Sequence, residues 1–241
     1  MKVVVVSFYM DNIPSKVLSA QREVMKAYGR GFQFHQMYTA YSHARSMDYM
    51  MREGAEWLNA DGVIFLDIDA IPTRAGSLSI LWDMARKAGI AGAPQRSNHI
   101  TNGEHIFVAP SVMAIRTDLW REIGKPSAEP TRLGDVAESY TYAAEKAGVT
   151  PSYLDVLGFE KAPEPVKLPD GRVIDVPHWD LKSDSPIKYG LNTTFGLDLQ
   201  YIDEDTGAPD RLRQDLFFHS FQSWAPGQQE RFVKKCQEVL L

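Results

Sequence analysis

The sequence is poor in cysteine, with Cys236 the only one among 241 residues. A single thiol can form neither an internal disulfide nor a metal site built from several thiolates, so both are excluded within one chain. This cysteine usage is typical of a reducing compartment, and we expect the protein to be cytoplasmic. The simplest interpretation of Cys236 is an incidental thiol on the last predicted helix.

Long apolar runs and an excess of positive charge are also missing. The run Val3–Val6 is apolar, but Ser7 and Asp11 interrupt it before it reaches the length of a signal segment or a membrane span. We therefore predict neither. The formal net charge is −5, which gives no overall field that would draw the molecule onto nucleic acid or an anionic membrane.

The pattern that is present alternates strands with helices. Lys2–Tyr9 is a continuous run of β-branched and apolar residues, as expected of a central strand buried on both faces. Further segments repeat the alternation: a helix from Ser15 to Tyr28, a strand from Phe32 to Tyr38, a helix from Ser42 to Glu53 and a strand from Gly62 to Leu66. This order predicts an α/β fold with a mixed, mostly parallel, Rossmann-like sheet flanked by helices.

The remaining chain contains further helices and strands and a stretch punctuated by prolines. Further predicted elements are the helix Leu78–Lys87, the strands Ile90–Ala93 and His105–Arg116, and the helices Asp118–Ile123, Asp135–Ala147 and Gly227–Leu241. Pro110 should place the middle of its strand at a sheet edge or a bend. A proline-punctuated stretch follows Gly158 and contains a predicted hairpin around Pro169–Gly171. We predict one domain, with a core at 1–150, an appended flap with loops at 158–215 and a closing tail at 216–241.

Two aspartates follow the strand Gly62–Leu66. Side chains alternate along an extended chain, so Asp67 and Asp69 should point the same way, roughly 6–7 Å apart, with Ile68 turned into the packing. Such close carboxylates repel each other unless a cation lies between them, and Mg²⁺ or Mn²⁺ is the usual solution. The alternative is that they cap a turn before Pro72.

The segment Val63–Pro72 resembles the Asp-x-Asp signature of GT-A fold glycosyltransferases, which transfer a sugar from a nucleotide-sugar. The resemblance covers the element order of roughly the first 150 residues and the tail through His219. It implies a GT-A-like fold, a divalent cation (Mn²⁺ or Mg²⁺) and a nucleoside-diphosphate sugar as donor, with a UDP-sugar favoured.

The resemblance also implies roles for individual residues. It places Phe8 and Tyr9 against the nucleobase, Arg45 on the nucleotide, and Asp67 and Asp69 at the diphosphate and the metal. His219, within the aromatic stretch Phe217–Phe221, would be the third metal ligand, although a histidine among aromatics is more often a hydrogen-bonded core residue. The stretch Gln95–His99 is rich in hydrogen-bond donors. We assign Gln95, Arg96 and Asn98 to binding the sugar or the diphosphate of the nucleotide-sugar. A polar surface loop is the alternative.

The catalytic base is expected in the acidic segment Gly134–Glu138. Asp135 is the first choice and Glu138 the second, because a carboxylate at either position could accept the proton of an acceptor hydroxyl. A helix N-cap is the competing interpretation. The segment lacks the Glu-Asp doublet usual in the family, and Ser42–Ser46 replaces the Asn- and Gly-rich stretch of many members.

The acceptor is expected at the flap, through His178 and Trp179, since an indole can stack on a sugar or a base. An anchoring role for Trp179 is the alternative. Between Gly158 and Gly190, five basic residues face six acidic ones, which is no footprint for DNA. A saccharide or small molecule is the favoured acceptor, and a modified DNA base stays open.

Two other functions fit parts of the pattern. A phosphatase of the haloacid dehalogenase type also begins with Asp-x-Asp after an apolar strand, but Ile71 stands where a Thr or Val is usual, and the motif is expected on the first strand. A non-catalytic nucleotide-sugar-binding protein would keep the aspartate pair without a base.

Overall fold

The first part of the chain alternates strands and helices, as predicted. The computed structural model describes residues 2–97, 105–132, 134–157, 164–167, 171, 173–176, 197–201, 214–220 and 228–241. The opening elements are β1 (Val3–Tyr9), α1 (Ser15–Tyr28), β2 (Gln33–Tyr38), α2 (His43–Arg52), a π-helical segment at Glu53–Trp57 and β3 (Gly62–Leu66). They are followed by β4 (Ala70–Pro72), α3 (Ser77–Ala88), β5 (Ile90–Arg96), β6 (Ile106–Arg116), α4 (Thr117–Glu122) and α5 (Glu138–Lys146).

The later elements are mostly strands. They are β7 (Ser152–Tyr153), β8 (Asp155–Leu157), β9 (Glu164–Lys167), β10 (Val173–Val176), β11 (Leu197–Tyr201) and β12 (Gln214–His219), before the helix α6 (Gln228–Val239). The antiparallel pairing of β9 with β10 confirms the predicted hairpin. The division into a core, a flap and a tail stays a prediction.

The main sheet has six strands in the order β2-β1-β3-β6-β5-β7. β1 lies inside the sheet, parallel to both β2 and β3, while β6 runs antiparallel to its two neighbours. The predicted α/β fold with a mixed sheet is therefore confirmed. An edge position for the middle of β6 is wrong: β6 lies between β3 and β5, and Pro110 falls where its pairing with β5 changes register. The missing N–H of proline is tolerated at such an irregularity.

Side chains of the central strands alternate between two cores. Val4, Val6 and Phe65 point to the face covered by Met47 of α2 and Tyr140 of α5. The intervening residues point to the opposite face, where α3 supplies a second buried cluster: Val3, Val5, Ile64 and Leu66 pack with Leu78, Leu81 and Trp82. Burial on both faces explains why Val3–Val6 and Val63–Leu66 are apolar at every position.

A second sheet, in the order β4-β12-β11-β8, extends from the main one at the end of β3. β4 pairs with β12, with Ala70 opposite His219 and Pro72 opposite Phe217. A residue near the end of the chain therefore lies beside the turn that follows β3. Behind this turn, a third cluster joins Val17 of α1, Phe232 of α6, and Ile68.

α1 spans Ser15–Tyr28 as predicted, whereas α5 starts later than the predicted Asp135. α5 begins at Glu138, because Ala137 adopts a left-handed backbone with φ of 62°. α1 begins at Ser15 itself, following Pro14, and no side chain caps it. Within the described residues, every helix is too short or too polar to cross a membrane.

Candidate functional site

Asp67 and Asp69 converge through a turn and not along an extended strand. β3 ends at Leu66, and the Ala70 amide donates to the Asp67 carbonyl at 2.9 Å, which closes the turn. The prediction of an extended pair was wrong in this respect, because the chain reverses here to enter β4. Ile68 is buried at 7% exposure, as predicted.

His219 completes the cluster from the other end of the chain. Its Nε2 atom lies 3.4 Å from Asp67 Oδ2 and 3.4 Å from Asp69 Oδ1. The pairing of β4 with β12 places it there, and the Ser220 amide fastens the same point by donating to the Asp69 carbonyl at 2.9 Å. The structure therefore brings together the three residues that the sequence predicted as metal ligands.

The electrostatics of the cluster call for positive charge between the carboxylates. Burial alone would raise the pKa of Asp67, but His43 and His219 outweigh it and hold that pKa below its usual value. Burial acts to lower the pKa of His219, yet hydrogen bonds to Asp67 and Asp69 raise it to about 9. The imidazolium thus offsets the repulsion between the two carboxylates.

The same three side chains fit a divalent cation. One ligand atom from each lies within 4.8 Å of the others. Carboxylate oxygens and an imidazole nitrogen are ligand types that divalent cations accept in proteins. The donor set and its spacing support a metal site.

A cleft of about 270 Å³ opens beside the aspartates. It is lined by Phe8, Tyr9, Met10, Asn12, Ile13, Thr39, Tyr41, His43, Asp67, Ile68 and Asp69. The carboxyl ends of β1, β2 and β3 meet at one edge of the sheet, which is where open α/β sheets place their ligand crevices. Phe8 and Tyr9, predicted from the sequence, lie in this cleft.

His43 was missed by the sequence analysis. Its Nε2 atom lies 3.5 Å from Asp67 Oδ1, and its ring meets that of Phe8 edge-on at 6.3 Å between centroids. Thr39 and Tyr41 were missed as well. The available signal was their position directly after β2, whose carboxyl end lies beside that of β1.

The other described residues that were predicted to bind the nucleotide-sugar do not line the cleft. Arg45 does not line the cleft; its Nε donates to Glu129 Oε1 at 3.1 Å, and its side chain is 71% exposed. Gln95 and Arg96 belong to β5, which is separated from β3 by β6. Asn98 lies outside the described residues, as do His178 and Trp179. The functional roles of all these residues stay predictions.

The two predicted bases differ in environment. Glu138 is fully buried, and its carboxylate accepts from the Asp135 amide at 2.6 Å, from Ser97 Oγ at 2.9 Å and from His105 Nδ1 at 2.6 Å. Burial would raise its pKa, but these donors lower it. Asp135 is half-buried, and its Oδ1 accepts from the Val136 amide at 2.8 Å. Asp135 is thus the more accessible of the two.

Comparison with known proteins gives fold likeness alone. No family model and no curated protein matches the chain. Among solved structures, a protein from STIV is similar to it at 12% identity and a TM-score of 0.45, over 74% of this chain and 96% of that one. The mannosyltransferase PcManGT from Pyrobaculum calidifontis, in complex with GDP-Man and Mn2+, is similar at 10% identity and a TM-score of 0.45, over 63% of this chain and 54% of that one. The galactosyltransferase LgtC, in complex with donor and acceptor sugar analogs, is similar at 15% identity and a TM-score of 0.40, over 63% of this chain and 73% of that one.

Proposed function

We propose that this protein is a metal-dependent glycosyltransferase that moves a sugar from a nucleoside-diphosphate sugar to an acceptor. The observation that carries the proposal is the convergence of Asp67, Asp69 and His219 at one end of an aromatic-lined cleft. The first two residues follow one buried strand, and the third lies on β12, the last strand that the structure describes. Assembly of these ligands from distant segments is unlike a simple turn cap.

Asp67, Asp69 and His219 would hold Mn²⁺ or Mg²⁺. When bound, such a cation supplies Lewis-acid stabilisation of the negative charge on a departing diphosphate. Phe8 and Tyr9 supply the apolar and aromatic wall against which a nucleobase packs. His43, at the cleft edge beside Asp67, is placed to donate a hydrogen bond to a phosphate oxygen.

Asp135 is the base that we propose for deprotonating the acceptor hydroxyl. Glu138 is fully buried and bound by three donors, so its carboxylate is committed to holding the surrounding backbone and His105. The acceptor class stays a saccharide or small molecule, with His178 and Trp179 proposed as its contacts and a modified DNA base as the alternative.

A thermal-shift panel tests the donor half of the proposal. We expect one nucleotide class among UDP-, GDP-, CDP- and TDP-sugars to raise the unfolding temperature in Mn²⁺ beyond either ligand alone. At a ligand concentration of a hundred times Kd, the gain is about 2.7 kcal/mol. Asp67→Asn should abolish the joint shift. If wild type shows no shift with any nucleotide-sugar in Mn²⁺, the proposal fails.

Two assays separate the alternatives. Metal-dependent release of phosphate from a phosphate ester, with no protection by nucleotide-sugars, would replace the transferase with a phosphatase. Binding of a nucleotide-sugar by wild type, with no transfer of the sugar to any acceptor, would instead indicate a non-catalytic binding protein.

A further inference from the structure

A buried glutamine of α1 contacts the backbone of the metal-binding turn. Gln21 is fully buried, and its Nε2 atom lies 2.8 Å from the Asp67 carbonyl and 2.9 Å from the Ala70 carbonyl. These two carbonyls belong to the first and last residues of the turn that carries both aspartates. The amide therefore spans the turn from below.

The orientation of this amide is determined by its neighbours. The third contact of Nε2 is Ser7 Oγ at 2.9 Å, and that hydroxyl donates onward to the Leu66 carbonyl at 2.8 Å. The Oε1 atom of Gln21 accepts from Gln36 Nε2 at 2.9 Å. The two hydrogens of Nε2 are shared among three acceptors, and the opposite orientation would instead bring Oε1 against two carbonyl oxygens.

The turn is held from two sides. Gln21 binds the Asp67 and Ala70 carbonyls, while the Ser220 amide binds the intervening Asp69 carbonyl. The Asp67 amide is fixed as well, donating to the Ser111 carbonyl at 2.9 Å. Removing the Gln21 donors would leave the buried Ala70 carbonyl without this partner and the part-buried Asp67 carbonyl with the Ala70 amide as its remaining donor. The turn would therefore lose two of the bonds that fix its backbone.

We propose that Gln21 is a positioning residue for the metal site, holding the turn in the shape that lets Asp67 and Asp69 face His219. The inference rests on the proposed metal-dependent function. Groups that orient the direct ligands of a metal typically change its affinity by about ten- to a hundredfold when they are mutated. Gln21 contacts no ligand side chain, so its effect would pass through the backbone of the turn.

The test compares Gln21→Met with wild type by Mn²⁺ titration, using the electron paramagnetic resonance signal of free Mn²⁺. Methionine keeps the volume and removes the donors. We expect the Mn²⁺ dissociation constant to rise about tenfold or more. Unfolding temperatures measured without metal report the structural cost separately.

Thr117→Val is the matched control. Thr117 is buried, and its Oγ1 donates to the Ala60 carbonyl at 2.5 Å, at the edge of the sheet opposite the aspartates. This variant loses a buried bond to a carbonyl in the same way, so we expect a comparable loss of thermal stability with an unchanged Mn²⁺ affinity. If Gln21→Met does not fold, Gln21→Asn replaces it, because it keeps a neutral amide in the buried position while its shorter side chain moves the donors away from the two carbonyls.

The outcomes are distinct. Unchanged Mn²⁺ affinity in the Gln21 variant, with wild type binding normally, overturns the positioning role and leaves the proposed function intact. An equal loss of affinity in Thr117→Val shows that general destabilisation is the cause, and also overturns it. Wild type that binds no Mn²⁺ overturns both the inference and the metal site.

Discussion

At the scale of single residues, the cluster of Asp67, Asp69 and His219 poses a charge problem. Two carboxylates within reach of one imidazole repel each other, and the protonated ring offsets this repulsion in the metal-free protein. A divalent cation supplies more positive charge at the same place. A divalent cation held by these three side chains, as we propose, would therefore relieve the repulsion between the carboxylates further.

Removal of one carboxylate should weaken metal binding selectively. For Asp69→Asn we expect the Mn²⁺ dissociation constant to rise by more than about tenfold, since loss of a direct ligand should exceed the effect of a supporting group. Mn²⁺ titration measures it. Asp83→Asn, an exposed aspartate of α3 paired with Arg86, removes the same charge away from the site and should bind Mn²⁺ like wild type. Equal affinity in both variants would contradict a site at Asp69.

Neutralisation of the proposed base should affect turnover and not folding. We expect Asp135→Asn to lower kcat by about 10²–10⁴-fold, the usual contribution of general-base catalysis, with an unchanged unfolding temperature. Steady-state kinetics with a transferable donor measures it. Glu138→Gln is the companion variant and should instead lower stability, because Glu138 is buried against His105. Full turnover in Asp135→Asn would exclude Asp135 as the base.

At the scale of elements, a buried ion pair fastens α5 to the ends of β5 and β6. His105 precedes β6, and its two nitrogens contact Glu138 at 2.6 Å and Glu145 at 3.0 Å, both on α5. The ring also stacks on Tyr142 with 3.9 Å between centroids. Glu138 binds Ser97 at the end of β5 in addition. One carboxylate thus ties two strands to a helix.

This ion pair predicts a pH dependence of stability. Burial alone would lower the pKa of His105, but the two glutamates raise it from 6.5 to about 9, so its contribution is fully present below pH 6.5 and is lost as pH rises through 9. The pKa of Glu138 is lowered from 4.5, so its contribution is present above pH 4.5 and is lost as pH falls through its lower folded value. Both contributions to stability are therefore complete between pH 4.5 and pH 6.5.

Urea unfolding of wild type and His105→Gln measures the effect. We expect the difference in unfolding free energy at pH 6 to exceed that at pH 10 by on the order of 2–3 kcal/mol, because only wild type loses the charged imidazole. Other groups that titrate in this range cancel in the difference. A pH-independent difference would contradict a charged His105.

At the scale of the whole molecule, the last helix supports the turn that carries Asp67 and Asp69 in the first third of the sequence. Phe232 of α6 is fully buried in the cluster that contains Ile68, the residue between the two aspartates. Ile71, on the far side of the turn, belongs to the same cluster. Packing of α6 therefore fixes the turn from the apolar side, while hydrogen bonds fix its backbone.

Truncation of this packing should cost both stability and metal affinity. For Phe232→Ala we expect a loss of about 3–5 kcal/mol in unfolding free energy, as is usual for a buried phenylalanine, and weaker Mn²⁺ binding. Denaturant unfolding and Mn²⁺ titration measure the two effects. Met51→Ala is the control, since Met51 is fully buried in the cluster on the α2 side, which contains no residue of the turn. Equal Mn²⁺ affinity in both variants would show that α6 does not support the turn.

Much of the architecture was predictable because its signals are local. Val3–Val6 and Val63–Leu66 are apolar at every position since both faces of these strands are covered, and short links between alternating elements favour parallel neighbours. The pair Asp67 and Asp69 was also predictable, as acidic residues that end a buried strand. Ala137 was not, because its left-handed backbone, which delays α5, has no signature in an alanine.

Sequence by itself determined the α/β class, the succession of strands and helices in the first part of the chain, and the aspartate pair, because each depends on residues close together in the chain. Tertiary structure alone decided that His219 faces both aspartates, that His43 borders the cleft, that Gln21 supports the turn and that Glu138 is buried. Those relations depend on pairing and packing between segments far apart in sequence, such as β4 with β12 and α1 with the turn after β3. No local periodicity records them, since each follows from the summed free energy of the assembled fold.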